Sequence, residues 1–432
     1  MPLFRSGWDN MAFCDSQQSQ LTKVVVIGAG IVGVSTALWL QRLGLEVILI
    51  DQEEPGEGTS FGNAGVLAAS SVTPVTAPKM IRKLPRYLFN PNFPLFLIWR
   101  YFPTVLPFII RYLLNANDSD TRRITNGLTL IVRDSLQQHI DLAKGTQAEK
   151  WLQQSPYIYA YQSRAHFNED QYVWSLRREA GFVPEEIEGA DVREFIPHFS
   201  KKIQFLAVLE DHGFILNPGS YVKDLATTFI ASGGKFIKSR VTNLAIEKDR
   251  IHAVDTECGR INCSQAVITA GVWSKFLTSK LNLKIPMESE RGYHVVYKSP
   301  SCQPSHPIMI ASGKFVMTPM AMGLRCAGVI EFGGLTAPPA KRCLAFINQQ
   351  VKSVIPGFSW QDKTEWLGHR PAPCDSLPFI GEIRNSGIFV GFGHHHIGLT
   401  SGPKTGRILA RLIANESVPI NLEPFEPLRF SK

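Results

Sequence analysis

At 432 residues, 44% hydrophobic and 19% charged, the chain has the composition of a folded protein large enough for two or three domains, which excludes a disordered one. Its 45 Lys and Arg against 37 Asp and Glu give a net charge of +8. No Lys/Arg block or RNA-binding signature accompanies that charge, so nucleic acid is not expected, whereas an anionic membrane surface or an anionic substrate fits. Seven scattered cysteines without C-x-x-C or metal spacing point to free thiols in a reducing, cytoplasmic compartment.

Residues 1–22 are polar and lack an apolar core; they read as a flexible extension and not as a secretory signal, with Met11 a rival first residue. The chain then enters a strand of β-branched residues, Val24 to Ile27, followed by Gly28-Ala29-Gly30-Ile31-Val32-Gly33. This is the G-x-G-x-x-G spacing. Its glycines allow a tight turn, a close approach to a pyrophosphate and close helix–strand packing. A helix over 31–43 would aim its first N–H groups at that phosphate, and Gly44 suits its end. The next strand ends in Asp51-Gln52, where a carboxylate can accept from an adenosine ribose. Strand, turn, helix, strand and acid together predict a dinucleotide site. They do not separate FAD from NAD.

A Gly-, Ser- and Asn-rich loop follows from Gly56 to Gly65 and could line the cofactor. Residues 74–114 are rich in proline and in apolar and aromatic residues. Arg100, Arg111 and two prolines inside 95–114 exclude a spanning helix. Two readings remain: buried helices of a second domain, or a patch lying in the membrane interface on the inner face of the cell membrane. Residues 121–153 read as helical, 157–161 as a strand, and 221–232 as a helix closed by Gly233-Gly234. Short alternating strands over 235–262 predict a meander, and 266–269 a buried strand running into Ala270-Gly271. Strands are predicted at 291–297, 308–310, 315–319 and 324–332, a helix at 339–353 and a strand at 388–391. The loop Gly393 to Thr400 leads into a last helix, whose N-terminus is a candidate site for partial negative charge.

Three stretches together resemble one family. The fingerprint, Thr59-Ser-Phe-Gly-Asn-Ala-Gly65 and the closing 366–407 region are similar to the FAD-dependent amine and amino-acid oxidoreductases of the D-amino-acid oxidase superfamily. The nearest look is the D-amino-acid dehydrogenase small-subunit type. The resemblance implies a mixed α/β fold, in which a Rossmann-like FAD-binding domain is interleaved with a mixed-sheet substrate domain. It divides the chain into 23–75, 201–285 and 360–432 for FAD, and 76–200 and 286–359 for the substrate or cap domain. It implies that Gly28, Ala29, Gly30, Ile31, Gly33, Asp51 and Gln52 hold the ADP part of a non-covalent FAD. Ser60, Asn63, Ala64 and Gly65 would lie along the flavin, Arg240 and Val241 by the adenine, and Ala270 and Gly271 over the pyrophosphate. Gly393, His394, Ile397, Gly398, Leu399 and Thr400 would sit at the pyrimidine end.

An amino-acid substrate offers a carboxylate, a Cα–H and an amine. A fork-shaped guanidinium suits the carboxylate, and Arg370 matches the family's carboxylate-binding position. Tyr293 reads as a second hydrogen-bond donor. His396 falls at the site entrance, where it could touch substrate or tune the amine's protonation. Consecutive histidines diverge, so His394 to His396 are not expected to hold a metal. The expected reaction is oxidative deamination of a D-amino acid to a 2-oxo acid and ammonia, with electrons passed to a quinone, a partner subunit or another acceptor. The alternatives are oxidation of a secondary or cyclic amine acid (proline, hydroxyproline, sarcosine), or a flavin subunit of a membrane electron-transfer complex.

Overall fold

The structure, a computed structural model, describes residues 23–76, 78 and 94–431. The expected extension over 1–22 and residues 79–93 of the proline-rich stretch lie outside the described residues.

Lys23–Ile27 forms the centre of a six-stranded sheet. Glu46–Asp51 and Gln265–Ile268 flank it in parallel, Lys235–Lys238 and Ile388–Phe392 extend it in parallel, and Phe379–Glu382 closes one edge antiparallel. The central run Val24 to Val26 is fully buried, as a strand covered on both faces must be. Its strands come from three distant segments of the chain. The meander, Val241–Glu247, Arg250–Thr256 and Gly259–Asn262, stands beside it as a small antiparallel sheet.

Helix Ile31–Arg42 and the last helix, Gly398–Ile413, pack side by side on this sheet. Their contact is close because small residues meet there. A Cβ on Gly406 would stand 2.6 Å from the Thr36 nitrogen, and one on Gly402 would stand 2.9 Å from the Ile31 side chain. Ser35 and Thr36 return their hydroxyls to the carbonyls of Ile31 and Val32, so neither hydroxyl is stranded in the contact.

The second layer is a ten-stranded mixed sheet. From its edge it runs Asp362–Pro373, Met287–Lys298, Gly323–Phe332, Phe315–Met320, Ile308–Ile310, Leu152–Tyr161, Phe205–Ile215 and Val66–Leu67, with two short strands alongside. Two of these strands differ from the expected division of the chain. Phe205–Ile215 and Asp362–Pro373 fall within segments assigned to the FAD domain, yet both pair in this sheet. Conversely, helices Asp118–Val132 and Ser135–Ala143, expected in the cap, bury Ile124, Leu128, Ile131 and Leu142 in the core of the first sheet and its helices. The physical reason is the chain's repeated crossing: each layer takes whichever segment presents an apolar face toward it.

The stretch from Leu95 settles as a short strand, one turn at Trp99–Tyr101, and helix Phe102–Leu114 with Pro107 inside it. Val105, Phe108 and Tyr112 face inward, while Leu106, Ile110 and Leu114 are exposed on the other side. No helix of the described residues is long and apolar enough to cross a membrane.

Candidate active site

A cavity of about 780 Å³ runs from the fingerprint turn to one face of the ten-stranded sheet. At its first end Gly28 has φ +110°, and a Cβ there would meet the Thr269 carbonyl at 2.7 Å; a Cβ on Gly33 would stand 1.7 Å from the Gly28 oxygen. Only glycine fits either position. Gly28, Gly30 and Ile31 line the cavity with Asp51 and Gln52, opposite Arg240, Val241, Ala270 and Gly271. Ala29 and Gly33 stand behind that lining. Asp51 accepts a hydrogen bond from the Ala29 N–H at 2.6 Å and one from the Glu53 N–H at 3.1 Å. Burial pushes its carboxyl upward, and these N–H groups oppose the push.

The loop from Thr59 is tied into place from both sides. Ser60 Oγ accepts from the Ile31 N–H at 3.0 Å, and Asn63 Oδ1 accepts from the Gly65 N–H at 2.9 Å. Arg325 rises from the sheet and donates to the carbonyls of Phe61 (3.0 Å) and Asn63 (2.6 Å). Its guanidinium is buried, and burial lowers its pKa to about 9. Sequence reasoning missed this arginine, since strand alternation says only that residue 325 sits on one face. Ser60, Asn63 and Ala64 line the cavity; Gly65, at φ +80°, shapes the turn behind them.

The C-terminal loop closes the other side. Gly393 turns the chain at φ +84° and stands behind the wall, against Pro373 and Phe379. His394 Nε2 bonds to Thr405 Oγ1 at 2.9 Å, and burial lowers its pKa to about 3. His395, at φ +50°, also borders the cavity and meets Glu290. His396 Nδ1 lies 2.8 Å from His395 Nδ1, and its ring opens onto the cavity. Desolvation by the surrounding walls first, then the charges of His395 and Arg370, hold His396 toward its neutral form, with Glu290 opposing. Among the described residues no group of His, Cys, Asp and Glu is arranged to hold a metal. Ile397, Gly398, Leu399 and Thr400 line the cavity at the start of the last helix, which has no side-chain cap. Its first N–H groups are therefore available to a ligand.

Arg370 comes from strand Asp362–Pro373, in register with Glu290 of Met287–Lys298. Its side chain crosses the neighbouring strand over Gly292, where a Cβ would strike the guanidinium at 2.5 Å, and donates to the Val329 carbonyl at 3.2 Å. It has no carboxylate within salt-bridge distance among the described residues. Burial lowers its pKa and Glu290 raises it. Glu290 is itself 3% exposed and meets His395. Burial would raise this carboxyl, but His395, Arg370 and His396 together hold it at about 2. Sequence reasoning passed over Glu290. The available signal was period-two alternation, which puts Glu290, Gly292 and His294 on one strand face.

Tyr293 is placed on the opposite face. Its hydroxyl donates to Glu331 at 2.6 Å and accepts from the Ala340 N–H at 3.0 Å, so it is turned away from Arg370. Burial and Glu331 raise its pKa. The structure thus brings Arg370, Glu290, His395 and His396 together, and leaves the Tyr293 hydroxyl out.

A family described as FAD dependent oxidoreductase matches residues 23–412. A D-amino-acid oxidase from Bradyrhizobium diazoefficiens is 36% identical over 416 residues, covering 94% of this chain and 98% of its own. The fold is similar to that of glycine oxidase from Bacillus cereus (TM-score 0.70, 20% identity, 92% of this chain and 96% of that one). It is also similar to L-proline dehydrogenase from P. horikoshii (TM-score 0.72, 18% identity, 96% and 99%) and to iminodiacetate oxidase from Chelativorans sp. (TM-score 0.68, 21% identity, 94% and 98%).

Proposed function

The chain belongs to the FAD-dependent oxidoreductase family, and from that premise we propose that it deaminates a D-amino acid oxidatively to a 2-oxo acid and ammonia. The residues present suit FAD: a glycine turn no Cβ could enter, Asp51 at the ribose position, and two helix N-termini whose own N-cap residues supply no side-chain cap, facing one cavity. When bound, FAD supplies the acceptor for the hydride leaving the substrate Cα. The chain's own part is to hold and orient. The observation that carries the reading is Arg370, a deeply set guanidinium open to the cavity and joined to the protein by one carbonyl. It takes the substrate carboxylate in bidentate fashion and so fixes the position of Cα. Glu290, paired with His395, keeps the positive charge around Arg370 from accumulating, and the neutral His396 ring faces the place where the amine stands.

Anaerobic flavin reduction across D-, L-, cyclic and N-methyl amino acids tests this. D-amino acids are expected to bleach the flavin, and Arg370→Ala to lower kcat/KM by about 2–5 kcal/mol in transition-state terms. Bleaching by cyclic or N-methyl substrates alone would transfer the function to a secondary amine acid. The same Arg370 clamp serves that reading, and the similarity to a proline dehydrogenase and an iminodiacetate oxidase favours it as the alternative.

The electrons pass to a quinone or another acceptor in this proposal. The exposed row Leu106, Ile110 and Leu114, with Arg100 and Arg111 exposed beside it, supports peripheral contact with an anionic phospholipid surface, where quinones reside.

A further inference from the structure

We propose that the end of the cavity farthest from the fingerprint is a subsite for a second anionic group, so that the preferred substrate is a dicarboxylic amino acid of glutamate to 2-aminoadipate length. The proposal rests on the amino-acid reading above and names the substrate class within it.

Arg177 carries it. It lies on helix Gln171–Glu179 and lines the cavity. Its guanidinium carbon stands 4.7 Å from the ring centre of Tyr159 and 4.7 Å from that of Trp174, and its Nε donates to the Ser70 carbonyl at 3.3 Å. These contacts fix the position of the group while leaving its terminal nitrogens uncommitted. No carboxylate lies within 4.0 Å of Arg177 among the described residues. The contrast with its surroundings is sharp: Arg178, the next residue, is paired with Glu186, and Arg164 with Glu186 and Glu188. A cation that is positioned but given no counterion, on the wall of a binding cavity, is arranged for an anion that arrives with the ligand.

Two phenols converge on the same place. Tyr157 and Tyr159 are 3% and 5% exposed, both line the cavity, and neither hydroxyl has a hydrogen-bond partner among the described residues. Both hydroxyls open onto the cavity, where a ligand can meet them. A carboxylate beneath Arg177 would accept from them and complete three groups at once.

The spacing suits one molecule. Tyr159 is in register with Met309, Met309 with Val316, and Val316 with Ala327, so a single sheet face connects the two ends. Arg370 reaches the strand of Ala327 at Val329. Three strand spacings and two residues along the strand put the two guanidinium groups about 15 Å apart. Each guanidinium–carboxylate contact takes about 4 Å between central carbons, which leaves about 5–8 Å between the two carboxyl carbons. An extended five- or six-carbon dicarboxylate spans about 5–6 Å. Alanine or proline would leave the Arg177 end unfilled.

The test is anaerobic reduction of the FAD-loaded protein by D-glutamate, D-2-aminoadipate and the neutral isostere D-glutamine, in wild type, Arg177→Gln and Arg177→Lys. The wild type should favour D-glutamate over D-glutamine by about tenfold or more in kcat/KM, as a positioned guanidinium without a counterion discriminates against an amide. The ratio should collapse toward one in Arg177→Gln and be partly kept in Arg177→Lys. A wild-type ratio near one, or an unchanged ratio in Arg177→Gln, overturns the subsite. If no amino acid reduces the flavin, the deamination reading has failed and the subsite is judged by binding alone. Glutarate and its monoamide are then titrated against the wild-type flavin spectrum. Tighter binding of glutarate upholds the subsite, and equal binding overturns it, whether or not the variants fold.

Discussion

A carboxylate sealed beside the Arg370 guanidinium sets the electrostatics of this site, and buried histidines set its tolerance of acid. His294 stacks on Trp366 and donates to the Gly62 carbonyl, His139 bridges Tyr221 and the Leu399 carbonyl, and His394 bonds Thr405. Burial lowers all three, to about 3, 4 and 3. Each therefore stays neutral in the folded protein well below the pH at which the unfolded chain protonates it, near 6.5. The sign follows: their contribution is complete above pH 6.5 and is lost as pH falls from 6.5 toward 3–4, at about 1.4 kcal/mol per pH unit for each ring. Glu290 behaves differently. Held at about 2 against 4.5, its contribution is present above 4.5 and lost only as pH falls through 2. From these three rings alone, unfolding at pH 5.5 should thus take up about two and a half protons more than at pH 7.5, measured by calorimetry in buffers of different ionisation enthalpy, and His396 adds to that. His294→Asn should remove one of them. Equal proton uptake at the two pH values would mean that these rings are not held neutral. Of the site residues, Arg370 was legible because it sits in a motif. Arg177, Arg325 and Glu290 were not, because their roles depend on which strands lie beside them.

At the scale of elements, periodicity was readable where a segment has one wet face. The meander and the helix at Pro218–Ala231 are cases of this. Phe205–Ile215 gave no signal, because it is buried for most of its length and so does not alternate. Asp362–Pro373 was read only as a motif, since its two prolines argue against a strand; Pro371 and Pro373 are tolerated because this strand lies at the sheet's edge. Helix Phe102–Leu114 has a buried face, as the reading of 95–114 as core helix requires, and an exposed apolar face, which the membrane-interface reading needs. Its inward face packs Val105 and Phe108 against Phe332 and Ala372, and its outward face exposes Ile110 at 52% and Leu114 at 69%. If that outer face meets lipid, the double change Ile110→Glu and Leu114→Glu should abolish co-sedimentation with vesicles containing phosphatidylglycerol while leaving flavin content intact. Wild-type protein that stays in the supernatant at low salt would exclude the lipid surface as its partner.

The cavity lies between the six-stranded and the ten-stranded sheet and takes its walls from both. The fingerprint turn and the helix after it come from the first 30 residues of the described chain. The opposing helix N-terminus at Gly398 comes more than 360 residues later, and Arg325 ties the loop of Ser60 and Asn63 to the second sheet. The resemblance to a family made the two ends legible together, whereas the exchange of segments between layers was not, since pairing partners are a property of the fold and not of local pattern. This architecture makes a prediction about the cofactor. A ligand held by only one layer would protect only that layer, but FAD lying between these elements must stiffen all of them. Adding FAD to apoprotein at one hundred times its Kd should stabilise by about 2.7 kcal/mol. Hydrogen exchange should slow together in the turn at 28–33, the loop at 60–65, the strand at 287–298 and the start of the helix at 398. The strand is the informative member, because it touches the cofactor site only through the second sheet. Protection confined to 28–33 and 398–402 would mean that FAD is held by the first layer alone, and that Arg370 is positioned independently of it.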